Sequence, residues 1–309
     1  MKSILNIIVF ALVVLFCEHA NAQQYIGHTQ FMWNQTAINP AYTGTKKSLS
    51  AGVFYRNQWV GFSGAPVTEN VFVHSPISHG DFGVGLNLMR DRLGIFTEIS
   101  AQGSFSYKLS FDQGTLSLGL SGEYGSQRVD WTQVDPFSEG DQAIPFADIS
   151  QTEYNFGFGA YFSNEIWFAG VSVPRLLEDQ STFVNEESNI SALLQARRHI
   201  YVTGGVMWQL SRNVYIQPVT MLRYVEGAPF QPDLGCLFLI NKQFWVGPSL
   251  RWGDSVSLLL DYSITKQLKV GYAFDFTITQ LQGHGGTHEF FLGYDLRKKK
   301  DGYNHPRFF

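Results

Sequence analysis

The chain has 309 residues, a formal net charge of −4 and only 16% charged residues, against about 25% in typical soluble domains. The acidic balance argues against a nucleic-acid-binding protein. Aromatic residues make up 15% of the chain, a proportion that suits strands whose outer face meets lipid.

The N-terminus has the pattern of a secretory signal peptide. A positive start leads into a mostly apolar run, 4–16, which is too short to cross a membrane as a helix. Residues 20–22 then form a small-residue cleavage site, so we expect 1–22 to be removed. A single cysteine, Cys236, would remain, and the mature chain therefore cannot form an internal disulfide.

Residues 23–47 follow the cleavage site and lack the alternation of a strand. They contain the turn-rich stretch from Asn39 and Pro40 to Gly44. We predict that 23–47 is a periplasmic N-terminal segment.

From residue 48 to residue 297, apolar side chains alternate with small or polar ones in segment after segment. Successive side chains of a strand point to opposite faces, and many of the segments have the roughly 9–11 residues with which a tilted strand crosses a bilayer. The pattern predicts an all-β fold, a transmembrane antiparallel β-barrel of about 14 strands over 48–297. The predicted strands are 48–57, 67–77, 82–91, 97–111, 114–127, 153–163, 165–174, 199–211, 214–225, 230–241, 243–252, 255–265, 267–279 and 287–297.

The predicted connections fall into two classes. Every second connection is short, and the two longest, 131–152 and 178–198, fall on the opposite side. Outer-membrane barrels have short periplasmic turns and longer outer loops, so we predict that both termini are periplasmic. Both long connections carry several carboxylates and could contact a partner or be solvated surface. Calcium is disfavoured because the carboxylates have no regular spacing.

The C-terminal residues end the alternation. Three adjacent lysines, 298–300, would be costly on a lipid-facing strand. We therefore predict that 298–309 is a basic C-terminal tail outside the barrel wall.

The inward face of the predicted strands carries many small residues. Small residues leave room in the lumen for either water or a plug. They include Gly83, Gly85, Ser117, Gly119, Ser121, Gly157, Gly159, Thr203 and Gly205.

No pattern in the chain indicates catalysis, a cofactor or a metal. His284 and His288 have zinc-like spacing, but glycines separate them at a loop–strand junction, whereas zinc-binding histidines at this spacing share one helix face. A nucleophile elbow and a dinucleotide-binding fingerprint are both missing. We predict a protein that is not an enzyme and needs no cofactor.

Several short motifs occur in order along the chain. They are Phe31-Met32-Trp33-Asn34 leading to Asn39-Pro40-Ala41-Tyr42-Thr43-Gly44, Arg56-Asn57-Gln58-Trp59, Gly64-Ala65-Pro66-Val67-Thr68, Asp91-Arg92-Leu93-Gly94 and Pro306-Arg307-Phe308-Phe309. This ordered set resembles the PorP/SprF family. The candidate partner-contact residues are accordingly Asn39, Pro40, Tyr42, Gly44, Arg56, Gln58, Trp59, Gly64, Pro66, Thr68, Asp91, Gly94, Pro306, Arg307, Phe308 and Phe309.

For single motif residues a purely structural role stays open. Asn39, Pro40 and Gly44 are turn formers, the 64–66 stretch fits a hairpin, and Arg56 fits an inward charge that is neutralised across the lumen.

The resemblance implies an outer-membrane component of the type IX secretion system of Bacteroidota. Its partners would be a secreted protein, such as a large gliding adhesin, and components of the secretion machinery. Barrel physics alone equally allows a passive porin or a transporter of hydrophobic solutes. A hydrolase is disfavoured because the chain lacks a catalytic constellation.

Overall fold

The computed structural model describes residues 27–46, 48–133, 149–178, 180–185, 190–195, 198–226, 228–281 and 283–296. Over these residues the chain forms a closed antiparallel barrel of 14 strands. The described residues contain no helix with the length and apolarity that a membrane crossing would require. The strands are β1 (Leu49–Asn57), β2 (Val67–Ile77), β3 (Phe82–Leu93), β4 (Phe96–Phe111), β5 (Gly114–Val129), β6 (Ile149–Ser163), β7 (Trp167–Val173), β8 (Gln180–Asn185), β9 (Ile190–Gln195), β10 (His199–Val206), β11 (Trp208–Gln209), β12 (Val214–Val225), β13 (Gln231–Ile240), β14 (Phe244–Arg251), β15 (Ser255–Ser263), β16 (Leu268–Thr277) and β17 (Thr287–Leu296).

Each wall strand pairs with the wall strands before and after it in sequence, and the first pairs with the last to close the ring. β1 pairs with β17, while β7 pairs with β10, which in turn pairs with β12. β10 and β11 are two pieces of one wall strand, since both pair with β12. β8 and β9 form a separate hairpin inside the long connection predicted at 178–198.

The predicted strands agree with the structure in number and closely in position. β2 and β12 have the predicted bounds, and β6 begins four residues earlier than predicted, at Ile149. The predicted strand 199–211 is broken at Met207, whose N–H donates to the Ile166 carbonyl. The predicted strand 165–174 ends at Val173 because the chain then turns inward, with Pro174 and Arg175 buried.

The two faces of the wall differ as the alternation predicts. In β1, Phe54 is fully buried and Arg56 is 2% exposed, whereas Val53 and Tyr55 are 44% and 41% exposed. The same contrast continues around the ring, where apolar side chains cover the outer surface of the strands. Such a surface suits the hydrocarbon region of a bilayer.

The connections lie at the two ends of the barrel. We call the end with the short connections, such as 112–113 and 241–243, the turn end. We call the end with connections such as 58–66 and 278–286 the loop end. β1 begins and β17 ends at the turn end. Which end faces the periplasm stays a prediction.

Residues 27–46 lie inside the barrel, and we call them the lumen segment. The prediction of a periplasmic segment at 23–47 is therefore wrong for these residues. They form three short 3-10 turns, Phe31–Trp33, Gln35–Ala37 and Pro40–Tyr42. Their apolar side chains join one buried cluster with inward-facing wall residues. Alternation could not reveal this location, because the segment contains no strand.

Several predictions lie outside the described residues. These are the signal peptide 1–22 with its cleavage site, the C-terminal tail 298–309, and the 134–148 part of the first long connection.

Candidate functional site

The lumen segment contains the first two family-like stretches, Phe31 to Asn34 and Asn39 to Gly44, and the second forms a capped turn. The Asn39 side chain accepts a hydrogen bond from the Ala41 N–H at 2.9 Å, and Pro40 occupies the first position of the turn. Asn at the cap and proline just inside it are favoured for this start. Gly44 adopts a φ of 65° just after the turn, a conformation that glycine reaches without steric cost.

A stripe of wall glycines accommodates this turn. A Cβ atom on Gly83 would overlap the Thr43 carbonyl, one on Gly119 would overlap the Ala41 backbone, and one on Gly159 would overlap the Asn39 side chain. These three glycines lie on β3, β5 and β6. The small inward residues noted in the sequence therefore leave room for a plug at this level of the lumen.

Hydrogen bonds from backbone and side-chain groups hold the same turn, with Ile38 just before it, to the wall. Ser172 donates to the Ile38 carbonyl at 2.7 Å, and Ser106 donates to the Thr43 carbonyl at 2.6 Å. Asn39 Nδ2 donates to the Ala160 carbonyl at 3.1 Å. A buried polar group that loses its partner costs about 1–3 kcal/mol, so each bond opposes withdrawal of the segment.

Toward the turn end, the segment meets a second set of polar partners. The Gly44 N–H donates to His74 Nδ1 at 3.0 Å, and the ring of Tyr42 packs edge-on against His74 with centroids 5.6 Å apart. Lys108 donates to the Gly44 carbonyl. Lys46 forms an ion pair with Asp295 at 3.0 Å.

Toward the loop end, a buried ionic cluster holds the start of the segment. Arg56 pairs with Glu289 at 3.0 Å and with Asp275 at 2.8 Å, and we call these three residues the Arg56 cluster. The N–H groups of Thr29 and Gln30 both donate to the Glu289 carboxylate, at 3.0 and 2.8 Å. Arg56 is thus the inward, neutralised charge that the sequence allowed, and its partners also bind the segment.

Between these two ends, amide and aromatic side chains anchor the segment. Asn34 Nδ2 donates to the Asn70 and Asn87 side-chain oxygens at 2.7 and 3.2 Å. The Trp33 ring stacks parallel to Phe291, and its edge contacts Trp245. Neither the amide cluster nor the aromatic cluster was predicted from the sequence, although all four wall residues lie at inward positions of the alternation.

A second group of motif residues meets at the loop end. Strand-like hydrogen bonds link Val60 to the opposite loop: the Val60 N–H donates to the Gly286 carbonyl at 2.9 Å, and the Gly285 N–H donates to the Val60 carbonyl at 2.7 Å. The Gly94 N–H donates to the Gly64 carbonyl at 2.8 Å. We call the joined loops, residues 58–66, 94–95 and 278–286, the collar.

Trp59 gives the collar a strained backbone position. Its φ is 45°, a left-handed conformation that is uncommon for a bulky residue and costs about 1–3 kcal/mol. The Trp59 N–H donates to Thr287 Oγ1 at 3.3 Å, and the neighbouring Gln58 N–H donates to the Pro66 carbonyl at 3.0 Å. Strain of this kind persists where surrounding contacts hold the residue, and it is enriched at functional sites.

The structure thus brings the candidate residues together in two places. Asn39, Pro40, Tyr42 and Gly44 lie in the lumen segment, and the other described candidates lie at or near the collar. Thr68 and Asp91 are in the wall below the collar and share a hydrogen bond of 2.6 Å. Pro306, Arg307, Phe308 and Phe309 lie outside the described residues.

Two further ionic clusters line the lumen. Arg175 pairs with Glu98 at 2.6 Å and with Glu123 at 2.5 Å. Asp233 pairs with Arg251 at 3.2 Å, and also with Arg223. Sequence analysis missed both clusters, although most of these charges occupy inward positions of the strand pattern and could have been found there. Among the described residues, no group of three or more His, Cys, Asp or Glu side chains is arranged to hold a metal ion.

Comparisons with known proteins agree with the fold. The family model described as "Type IX secretion system membrane protein PorP/SprF" matches residues 20–294. No curated protein matches the chain at a significant level. A FadL homologue of Pseudomonas aeruginosa is 13% identical, with 90% of this chain and 96% of that chain covered and a TM-score of 0.53.

A second solved structure, the outer-membrane protein Omp33 of Acinetobacter baumannii, is 8% identical. It covers 83% of this chain and 100% of that chain, with a TM-score of 0.47. At these identities the likeness to the FadL homologue concerns the fold alone.

Proposed function

The chain belongs to the PorP/SprF family of type IX secretion system membrane proteins, and we propose that it supports export or cell-surface anchoring of one secreted protein. A large surface adhesin of the gliding type is the partner we favour. The protein acts by binding and not by catalysis. It is an outer-membrane β-barrel, with the loop end outside the cell and both termini in the periplasm.

The observation that carries this proposal is the placement of the family-like motifs. One group forms the collar at the loop end, and the other holds the lumen segment in place. Exposed loops on a rigid scaffold are common recognition sites. A recognition surface on a blocked barrel fits a protein that binds its partner, and it does not fit an open conduit.

The collar offers an apolar contact for such a partner. Phe62 is 47% exposed at the loop end, and its ring contacts His284 edge-on with centroids 5.1 Å apart. Aromatic residues often dominate the binding energy of protein interfaces. The long connections 131–152 and 178–198 remain predicted contact surfaces beside the collar.

The lumen segment argues against the alternative of a passive porin. Beside β10 and β12 the segment fills the lumen, since Phe31 and Ile38 belong to the same buried cluster as Tyr201 and Met221 of the wall. Purified full-length protein should therefore give no steady conductance in planar bilayers. A porin-like conductance would favour the passive-porin alternative.

Photocrosslinking in living cells tests the proposal. A photoreactive amino acid replaces Phe62 in the collar, and a matched variant carries it at Phe111, which is 59% exposed on β4 near the turn end. We expect crosslinks from position 62 to a secreted or surface-anchored protein, and none to that protein from position 111.

A deletion strain provides the second arm of this test. Loss of the gene should remove one or more proteins from the cell surface while small-solute uptake stays normal. An unchanged surface proteome together with reduced uptake of a small solute would replace the proposal with the transporter alternative.

A further inference from the structure

Three arginines stand on the largely apolar outer surface of the barrel, with Glu69 of β2 beside one of them. Arg90 and Arg92 lie on β3 and Arg128 lies on β5, all at outward positions near the loop end. In the strands that the structure describes, no other Lys or Arg faces outward: the remaining ones occupy inward positions. The described strands thus carry one basic patch on their outward surface.

The register places the three arginines side by side. Arg92 is opposite Thr97 on β4, and Thr97 is opposite Arg128 on β5. Strands are spaced at about 4.8 Å and residues at about 3.4 Å along a strand. Arg92 is therefore about 10 Å from Arg128 and about 7 Å from Arg90 between backbones, a spacing at which long side chains can share one or two phosphate groups.

The patch lies where the apolar surface ends. On β3, the outward residues below Arg90 are Leu88, Leu86 and Val84, which are 43%, 44% and 39% exposed. An outward arginine costs about 2–4 kcal/mol at the bilayer midplane but only about 0–1 kcal/mol near the interface. The arginines therefore belong at the level of the lipid headgroups.

Arg90 and Arg92 remain accessible to an anionic ligand. Arg90 has one carboxylate neighbour, Glu69, at 3.4 Å, and both of these side chains are about half exposed. Exposed pairs of this kind contribute about 0–1 kcal/mol and leave both charges hydrated. Arg92 forms no ion pair with any residue that the structure describes.

A groove in the collar opens beside Arg92. It has a volume of about 410 Å³. Among the described residues that line it, Arg92 is the charged one, and the others are Asn57, Val60, Gly61, Phe62, Gly64, Ala65, Val67 and Gly94. Most of the surface that the groove exposes is polar, so together with the Arg92 cation it suits the polar, anionic head of a lipid.

We propose that this patch binds the phosphorylated headgroup of a lipid in the leaflet at the loop end. Guanidinium groups match phosphate oxygens with two parallel hydrogen bonds, and basic patches beside apolar membrane surface recognise anionic headgroups. The choice of lipid A as the ligand rests on the proposed orientation, with the loop end in the outer leaflet, and the inference is independent of the secreted partner.

Native mass spectrometry of the full-length protein in detergent tests the inference. The protein is titrated with bisphosphorylated lipid A and, separately, with lipid A stripped of its phosphates. We expect binding of the first, and a loss of about tenfold or more in affinity, about 1.4 kcal/mol, in the variant Arg90→Gln/Arg92→Gln/Arg128→Gln.

A matched control removes three exposed basic residues from the turn end. The variant Arg212→Gln/Lys242→Gln/Lys266→Gln has the same change in net charge and should bind the lipid like the unmodified protein. If the triple arginine variant fails to fold, as judged by heat-dependent mobility in gels, Arg92→Gln alone should still weaken binding.

Three results would each overturn the inference. The phosphate-free lipid could bind as tightly as the phosphorylated one. The turn-end control could lose as much affinity as the arginine variant. Inorganic phosphate alone could compete as strongly as the lipid, which would make the patch a site for free anions and not for a headgroup.

Discussion

Gly119 in the barrel wall lies directly against Ala41 in the lumen segment. A Cβ atom at Gly119 would overlap the Ala41 backbone nitrogen and the Pro40 carbonyl carbon. Because backbone atoms cannot swing aside as a flexible side chain can, any larger residue at position 119 requires the segment to move. The lumen segment can therefore occupy its place in the lumen only if position 119 of β5 is a glycine.

The substitution Gly119→Val should therefore loosen the lumen segment. Overpacking of a close contact costs about 1–3 kcal/mol, and here that cost falls on the contact between the segment and the wall. We expect a lower thermal unfolding temperature, measured by heat-dependent gel mobility, and an intermittent conductance in planar bilayers.

Gly122→Val is the matched control for this substitution. Gly122 lies on the same strand, but a Cβ atom there would meet nothing within 4 Å. The control should stay closed and stable. Equal behaviour of the two variants would show that position 119 is not a contact that closes the lumen.

Breaking the Arg56 cluster should release the other end of the segment. Arg56→Met leaves Glu289 and Asp275 as buried carboxylates without their cation, and removal of one partner from a buried pair costs about 3–5 kcal/mol. We expect a clear decrease in the urea midpoint of unfolding and faster proteolysis within 27–46.

Arg90→Met tests whether this effect depends on burial. Arg90 and Glu69 form an exposed pair, whose removal should change stability by about 0–1 kcal/mol. If Arg56→Met lowered the urea midpoint as little as Arg90→Met does, the Arg56 cluster would not hold the lumen segment in place.

Removing the lumen segment should open the barrel. Deletion of 27–44 leaves β1 and all the wall pairings in place, while it removes the Asn39 turn and the anchors at Trp33 and Thr29. We expect a steady conductance from the deletion protein in planar bilayers and none from the full-length protein. Identical, silent recordings from both proteins, with folding confirmed by gel mobility, would mean that something other than the segment closes the lumen.

The wall of the barrel could be predicted well from the sequence, because the alternation of apolar and polar side chains is visible within each strand by itself. β2 and β12 have the predicted bounds, since local alternation and turn residues are enough to set them. Pro218 in β12 and Pro232 in β13 lack the N–H that a sheet ladder uses, yet both lie at outward positions within intact strands. The inward turn after Val173 has no comparable signal, because Pro174 at a strand end is equally compatible with an ordinary loop.

The content of the lumen could not be predicted in the same way. Gly119 and Ala41 are far apart in the chain, and small residues on an inward face are equally consistent with water. The motif from Asn39 to Gly44 indicated a turn but not where the turn lies. The buried position of Arg56 followed from the alternation of β1. Its contact with Thr29 depends on the path of the lumen segment, and that segment shows no alternation from which its path could be predicted.

The sidedness of the barrel follows from connection length alone, so it is the prediction that most needs a direct measurement. Short periplasmic turns and longer outer loops are the rule for outer-membrane barrels, which places the collar outside the cell. In a Cys236→Ser background, a cysteine is introduced at Ser63 in the collar or at Ser211 at the turn end, both of which are exposed serines in connections. A membrane-impermeant maleimide should label position 63 in intact cells and position 211 only after the outer membrane is permeabilised. The opposite labelling pattern would show that the barrel has the inverse orientation, with both termini outside the cell. The collar would then face the periplasmic machinery and could not contact a surface adhesin.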